Sequence, residues 1–382
     1  MKKKLLSLAL ACGMVFSLAA CTNDGAAPAT NSPVANTESS APESQTPSYE
    51  TASVRVAYMP NMGSGSTLVT AQEMGYFEDY GLDVTLTQFQ SGPTEIAAMA
   101  SGDIDISQIG HGAHSLCIEG QAKIFAIDCL GVSDVVMVNT ERGINSIEDL
   151  RGKTVAVSTG TSSELILNLA LRKAGMTQDD LNLVEMDAQG MVTAMVANQI
   201  DGCAAWAPSS TTIEQQMGDK VKTIASNYDF LDVATFPGSF ITSDKFNEEN
   251  HDVLVRFGAA LLKAQAYRKD NIEQVCEWLA KEVEADPATI LDTKDSGEWL
   301  TPDDIEAGLA DGTIQGYYES QQQVFLDGGQ IPEKVDTSEY VVKAKLFCPE
   351  IAGLFCRIAV LFCHDSRANL SLKPVCFGIA IS

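Results

Sequence analysis

The sequence predicts an α/β protein of two similarly built lobes, each a mainly parallel sheet flanked by helices. Two observations carry this expectation. Short β-branched runs alternate with helical stretches from Val54 to Thr242, the spacing of βαβ units and hence of a mainly parallel sheet. The layout that begins at Val54 also begins again at Lys153, at an offset of about 96 to 99 residues, which is too long for a solenoid repeat.

In order, Val54–Tyr58 (VRVAY) reads as a strand and Met59–Ser66 (MPNMGSGS) as a glycine- and serine-rich loop. A helix is expected over Thr67–Phe77, with Gly81 in its terminating turn. Val84–Phe89 is the second strand, and the loop Gln90-Ser91-Gly92-Pro93 sends its proline into a helix over Thr94–Ala100. Ser101-Gly102-Asp103 turns into a third strand, Ile104–Ile109. Gly110-His111-Gly112 follows, then a helix to about Gly120 and a fourth strand, Phe125–Leu130.

The chain crosses near Val135–Val138, and after a short helix at Ser146–Leu150 the opening layout returns. Lys153–Val157 matches Val54–Tyr58, and Ser158–Ser163 matches Gly63–Ser66. A helix over Glu164–Ala174 ends at Gly175, Leu181–Met186 is again a second strand, and Met191–Ala197 is the next helix. NQIDGCAA (Asn198–Ala205) parallels SGDIDIS (Ser101–Ser107). The stretch KTVAVSTGTSS is a strand–loop–helix junction. Its first-turn N–H groups and hydroxyls suit an anionic or hydrogen-bonding group, although Ser and Thr are also preferred N-caps. After Trp206-Ala207-Pro208 a helix to Met217 and a strand at Val221–Ala225 lead to Ala234–Thr242, which returns to the first lobe. Helices over Asn247–Tyr267, Ile272–Glu284, Asp286–Leu291, Thr301–Ala310 and Thr313–Leu326 complete that lobe. Lobe 1 is thus expected from residues 53–135 and 237–342, lobe 2 from 136–236, with hinges near Val135 and Phe236.

The ends differ from the body. Lys2, Lys3 and Lys4 precede an apolar run, Leu5–Ala20, that ends Leu18-Ala19-Ala20-Cys21. This is an export signal over residues 1–20. Small residues before a cysteine resemble the bacterial lipoprotein cleavage box, which implies cleavage before Cys21 and a diacylglycerol on its thiol. Residues 21–52 are rich in Thr, Ser, Pro, Ala and Glu and read as a flexible tether. Residues 343–382 carry four of the ten cysteines and five basic residues against two acidic, with no clear period. Three readings stand for this tail: an out-of-frame extension, a disulfide-stapled appendage, or a segment that packs on a lobe or a surface.

A net charge of −26 argues against nucleic acid and anionic lipid as partners. No CxxC and no His/Cys spacing fits zinc. Cys117, Cys129, Cys203 and Cys276 sit singly in apolar contexts, as buried inert thiols do. Asp103, Asp105 and Asp201 are dispersed and read as turn residues, so neither a metal site nor a cofactor is assigned.

The strings YMPNMGSGSTLVTAQEMGYFEDYGLDV, FQSGPTEIAAMASGDIDIS and GKTVAVSTGTSSELILNLALRKAG, with the lipoprotein signal, resemble the substrate-binding proteins of nitrate-, sulfonate- and taurine-type ABC importers, over about Val54 to Asp336. The resemblance implies the type 2 periplasmic-binding-protein fold, bilobate with a two-crossing hinge. It also implies capture of a small solute between the lobes and delivery to a membrane permease, by a monomer tethered to the outer face of the cell membrane. In open α/β sheets ligands sit beyond the carboxyl ends of the strands. The expected solute-binding residues are therefore Asn61, Gly63, Ser64, Ser66, Ser91, Gly92, His111, Thr159, Gly160, Thr161, Ser162 and Trp206. Neutral donors suit a sulfonate or nitrate. Trp206 and His111 equally suit a small heteroaromatic such as a thiamine-pyrimidine precursor. A pyrimidine-synthesising enzyme of related fold is the remaining alternative; the body lacks the His and cysteine cluster that such proteins use, and no nucleophile elbow, P-loop or HExxH is seen. Binding rather than catalysis is the expectation.

Overall fold

The structure, a computed structural model, describes residues 49–342. The export signal, Cys21, the tether before Tyr49 and the tail from residue 343 lie outside the described residues.

Strands β1 (Ala52–Tyr58), β2 (Leu82–Gln88), β3 (Ile106–Ile109) and β4 (Lys123–Gly131) open the first sheet. The second holds β5 (Val135–Asn139), β6 (Thr154–Val157), β7 (Asn182–Glu185), β8 (Gly202–Ala205) and β9 (Val221–Ser226). The chain then returns with β10 (Pro237–Thr242) and β11 (Gly297–Trp299). The sheet orders are β11-β4-β10-β3-β1-β2 and β7-β6-β8-β5-β9. β1 pairs parallel with β2 and β3, as β6 does with β7 and β8. β10 inserts antiparallel between β3 and β4, and β5 antiparallel between β8 and β9. Each sheet therefore takes in the strand that has just crossed between the lobes.

The repeat extends to individual hydrogen bonds. In lobe 1 the Met59 N–H donates to Ser64 Oγ (2.9 Å), which donates to the Gln108 carbonyl (2.9 Å). In lobe 2 the Ser158 N–H donates to Ser163 Oγ (3.2 Å), which donates to the Ala204 carbonyl (2.6 Å). One serine thus ties the end of the first strand to the end of the third in both lobes. The offsets are 99, 99 and 96 residues (59 to 158, 64 to 163, 108 to 204). The repeated aspartates have the same kind of explanation. Asp105 Oδ2 accepts the Arg55 N–H (2.9 Å) and Asp201 Oδ2 accepts the Thr154 N–H (2.8 Å), clamping first and third strands at their other ends.

Several helices begin earlier than the sequence pattern suggests. The first runs from Met62 to Glu73, and Asn61 caps it by accepting the Ser64 N–H at 2.9 Å. Gly63, Ser64, Gly65 and Ser66 are thus helical, despite poor intrinsic propensity. Packing overrides propensity there: a Cβ on Gly65 would lie 2.6 Å from Leu279 Cδ1 and 3.2 Å from the Tyr58 ring, so a larger residue would force Leu279, on the helix Ile272–Glu282, to move. Likewise Thr161 caps a helix over Ser162–Lys173, accepting the Ser163 N–H. β11 was not expected at all; it adds an edge strand to β4.

Lobe 1 also buries a full ion pair. Arg268, on the long helix His251–Asp270, is completely buried and donates from Nη2 to Asp128 Oδ1 at 3.0 Å. Its Nη1 donates to Ser66 Oγ (2.8 Å) and Thr67 Oγ1 (2.6 Å). The guanidinium carbon lies 4.9 Å from the Trp299 ring centroid. Buried charges require such pairing and extra hydrogen bonds to be tolerated.

Candidate functional site

A cavity opens between the lobes at the carboxyl ends of the central strands. It measures about 70 Å³, several times the roughly 10–15 Å³ that one water needs. It has room for a solute of several heavy atoms.

Three helix starts line it. Asn61, Gly63 and Ser64 come from the helix after β1, Gly92 from the helix Gly92–Ser101 after β2, and Thr161 and Ser162 from the helix after β6. First-turn N–H groups have no intrahelical acceptor and sit at the positive end of the helix dipole. Two of these starts belong to lobe 1 and one to lobe 2. Trp206 and Ala207, after β8, complete the wall from lobe 2; the Ala207–Pro208 peptide bond is cis. From lobe 1 come Met59, Gln108, Cys129 and Trp299, and from the crossings Ser133, Asp134 and Phe236. Burial pushes the Cys129 thiol up to about 12, so it remains a protonated wall group.

His111 and Asp134 are the ionisable heart of this wall, both almost fully buried. His111 Nε2 lies 3.0 Å from Asp134 Oδ2, and the imidazole packs 5.0 Å from Phe236, centroid to centroid. Asn227 donates to Asp134 Oδ2 from Nδ2 (3.0 Å) and accepts the Asp134 N–H on Oδ1 (2.6 Å). Burial alone would raise the Asp134 carboxyl. The contacts with His111, Ser162 and Asn227 outweigh it and hold the group below the usual carboxylate range. Behind His111, Gln321 Nε2 donates to the His111 carbonyl (2.9 Å), and Gln321 Oε1 lies 2.8 Å from His114 Nδ1. Among the described residues, no lysine or arginine lines the cavity.

The lobes also meet along a seam beside the cavity. A Cβ on Gly112 would fall 2.0 Å from the Thr161 carbonyl carbon and 2.2 Å from the Ser162 nitrogen. The backbones there touch directly. Gly160, at φ 72°, faces Pro93: a Cβ on it would lie 3.1 Å from Pro93 Cγ.

The residues expected from sequence separate into two groups. Asn61, Gly63, Ser64, Gly92, His111, Thr161, Ser162 and Trp206 line the cavity. Four lie elsewhere. Ser66 is one helical turn too deep and accepts from Arg268. Ser91 sits at the N-cap position with its hydroxyl 3.2 Å from Thr94 Oγ1. The Thr159 hydroxyl donates to Glu185 (2.6 Å), and Thr159 and Gly160 line a second groove with Glu164, Gln178 and Asp327. Asp134, Phe236 and Trp299 were missed as wall residues. Asp134 stands directly before the expected crossing at Val135, the one signal that could have found it. Trp299 lies in a three-residue strand that has no period to read.

The described residues thus define a bilobate α/β cleft protein with its cavity at the hinge, the periplasmic-binding-protein fold. The chain belongs to the NMT1/THI5-like family, whose model matches residues 65–274. A Brucella abortus protein whose name gives it as a candidate binding protein is 34% identical over 75% of this chain and 89% of its own length. The taurine-binding periplasmic protein of Escherichia coli is 24% identical over 76% of this chain and 92% of its own. The solved alkanesulfonate-binding protein SsuA from Xanthomonas axonopodis pv. citri, bound to MOPS, superposes with a TM-score of 0.61 at 19% identity. That match covers 78% of this chain and all of the SsuA chain.

Proposed function

We propose that this protein is the extracytoplasmic solute-binding component of an ABC importer, taking a small anion of the sulfonate, taurine or nitrate type between its lobes and handing it to a permease. The observation that carries the reading is the convergence of three helix starts, from both lobes, on one cavity. Such donors bind anions without a cationic side chain. Because both lobes contribute, an anion would bridge them and favour the closed form, as ligands do in hinge-closing proteins. The names of the relatives point the same way. In this reading the protein binds and releases without turnover, works as a monomer, and is held at the outer face of the membrane through Cys21 and the tether.

The twelve residues expected from sequence reduce to eight in this proposal, with Asp134, Phe236 and Trp299 added. A neutral heteroaromatic is a second reading, favoured by Trp206, Trp299 and Phe236 in the wall. Calorimetric titration of the purified protein with ethanesulfonate, taurine, nitrate and a neutral pyrimidine separates the two. Saturable binding of any of the anions supports the first reading, and binding of the pyrimidine alone overturns it. Palmitate labelling of the protein in bacterial cells, lost in Cys21→Ser, tests the anchor.

A further inference from the structure

The cavity wall says more about the solute than its charge. We propose that the anion is carried on a flat aromatic body, an aryl sulfonate or aryl carboxylate, and not on the short aliphatic chain that the relatives' names describe. The inference rests on the anion reading for the head group and adds the body.

Trp206 and Trp299 reach the cavity from opposite lobes, and Phe236 reaches it from the returning crossing. A short alkyl chain has too little surface to contact all three. An aryl ring gains stacking or edge contacts with such a wall beyond its area burial.

Trp299 is held in place independently of any solute. Its Nε1 donates to the Lys294 carbonyl at 2.7 Å, and Arg268 lies against the ring. The ring is therefore a preorganised wall, which limits the ordering cost of binding. A cation against the ring also draws on its π density, which makes it a poorer partner for a cationic solute.

The same wall argues against an aminoalkyl body. A solute ammonium would need carboxylate lone pairs. Asp134, the one carboxylate in the wall among the described residues, already takes His111, Asn227 and Ser162. An ammonium would have to share that carboxylate with the donors already on it, and no second carboxylate lines the wall among the described residues.

The test is a titration of the purified full chain, followed by calorimetry and tryptophan fluorescence, with five probes. These are benzenesulfonate, cyclohexanesulfonate, ethanesulfonate, taurine and benzyl alcohol. Benzenesulfonate is expected to bind at least tenfold more tightly than ethanesulfonate and taurine, and more tightly than cyclohexanesulfonate, which matches its bulk without its flatness. Trp206→Leu is expected to lower benzenesulfonate affinity about tenfold and ethanesulfonate affinity by a smaller factor. Ethanesulfonate or taurine binding as tightly as benzenesulfonate overturns the aromatic body and leaves the anion reading standing. Benzyl alcohol binding as tightly as benzenesulfonate overturns the anion reading and leaves the aromatic wall standing. Failure of all five to bind at millimolar concentration overturns both.

Discussion

The two lobes share one topology and one pair of strand clamps, but they are braced differently. Ser64 in lobe 1 and Ser163 in lobe 2 make equivalent hydrogen bonds. Behind Ser64, however, stand the buried Arg268–Asp128 pair and the long helices that follow the second crossing. Lobe 2 has no such backing among the described residues: in its own ion pairs, Arg142–Asp201, Arg151–Asp180 and Lys220–Glu141, the basic partner stays exposed. The serine clamp is what the fold needs to shape a strand-end pocket. The charge beneath it is an addition found in lobe 1 and not in lobe 2 among the described residues.

The sharpest way to break this contrast is Arg268→Met. It strands the Asp128 carboxylate in the core and should cost about 3–5 kcal/mol, read as a fall in the urea midpoint. A loss below 1 kcal/mol would mean the pair is not the brace described. Glu95 offers a second asymmetry. Fully buried on the helix after β2, with Ser107 Oγ donating to Oε2, its carboxyl is raised by burial to about 8, the Ser107 bond opposing. A raised folded pKa on an acid means its contribution to stability is full below the unfolded value and lost as pH rises through about 8. At pH 7 that loss is about 3 kcal/mol. Glu95→Gln should remove this slope, so the variant gains on the wild type between pH 5 and pH 8. Parallel stability–pH curves would contradict the assignment.

The seam gives a smaller effect, on binding. Gly112→Ala places a methyl inside the Thr161–Ser162 backbone, so closure must stop short. Solute affinity should fall at least tenfold, and the decrease in radius of gyration on adding solute, by small-angle scattering, should be lost. Gly316→Ala, on an exposed helical position with open space around it, should change neither. The clamps themselves give the last test, on stability alone. Ser64→Ala and Ser163→Ala should each cost about 1–3 kcal/mol by leaving a buried strand-end group unpaired, in equal measure if the lobes differ only in what lies behind the serine.

Much of the architecture was legible because its signals are local. Strand ends marked by Gly, Ser and Thr, and an aspartate before each third strand, recur at a fixed offset. What escaped depends on distant partners. The first helix begins five residues early because Asn61 caps it and Leu279 packs on Gly65, a contact 214 residues away (65 to 279). Thr159 looked like a donor to the cleft, but Glu185 on the neighbouring strand takes both its N–H and its hydroxyl. Asp134 acquires meaning only with Asn227 and His111 beside it, and Trp299 only once β11 docks on β4.

The Asp134–Asn227 contact has a mechanical consequence. Asn227 also donates its N–H to the Asp134 carbonyl at 3.2 Å, and on the lobe 1 side the Gly131 N–H donates to the Phe236 carbonyl at 2.8 Å. The outgoing and returning chains are thus stitched to each other at both ends of the crossing. Two separate strings would let the lobes slide and wring; stitched strings form a spine. A spine of that kind resists shear between the lobes and leaves free only the bend about its own line.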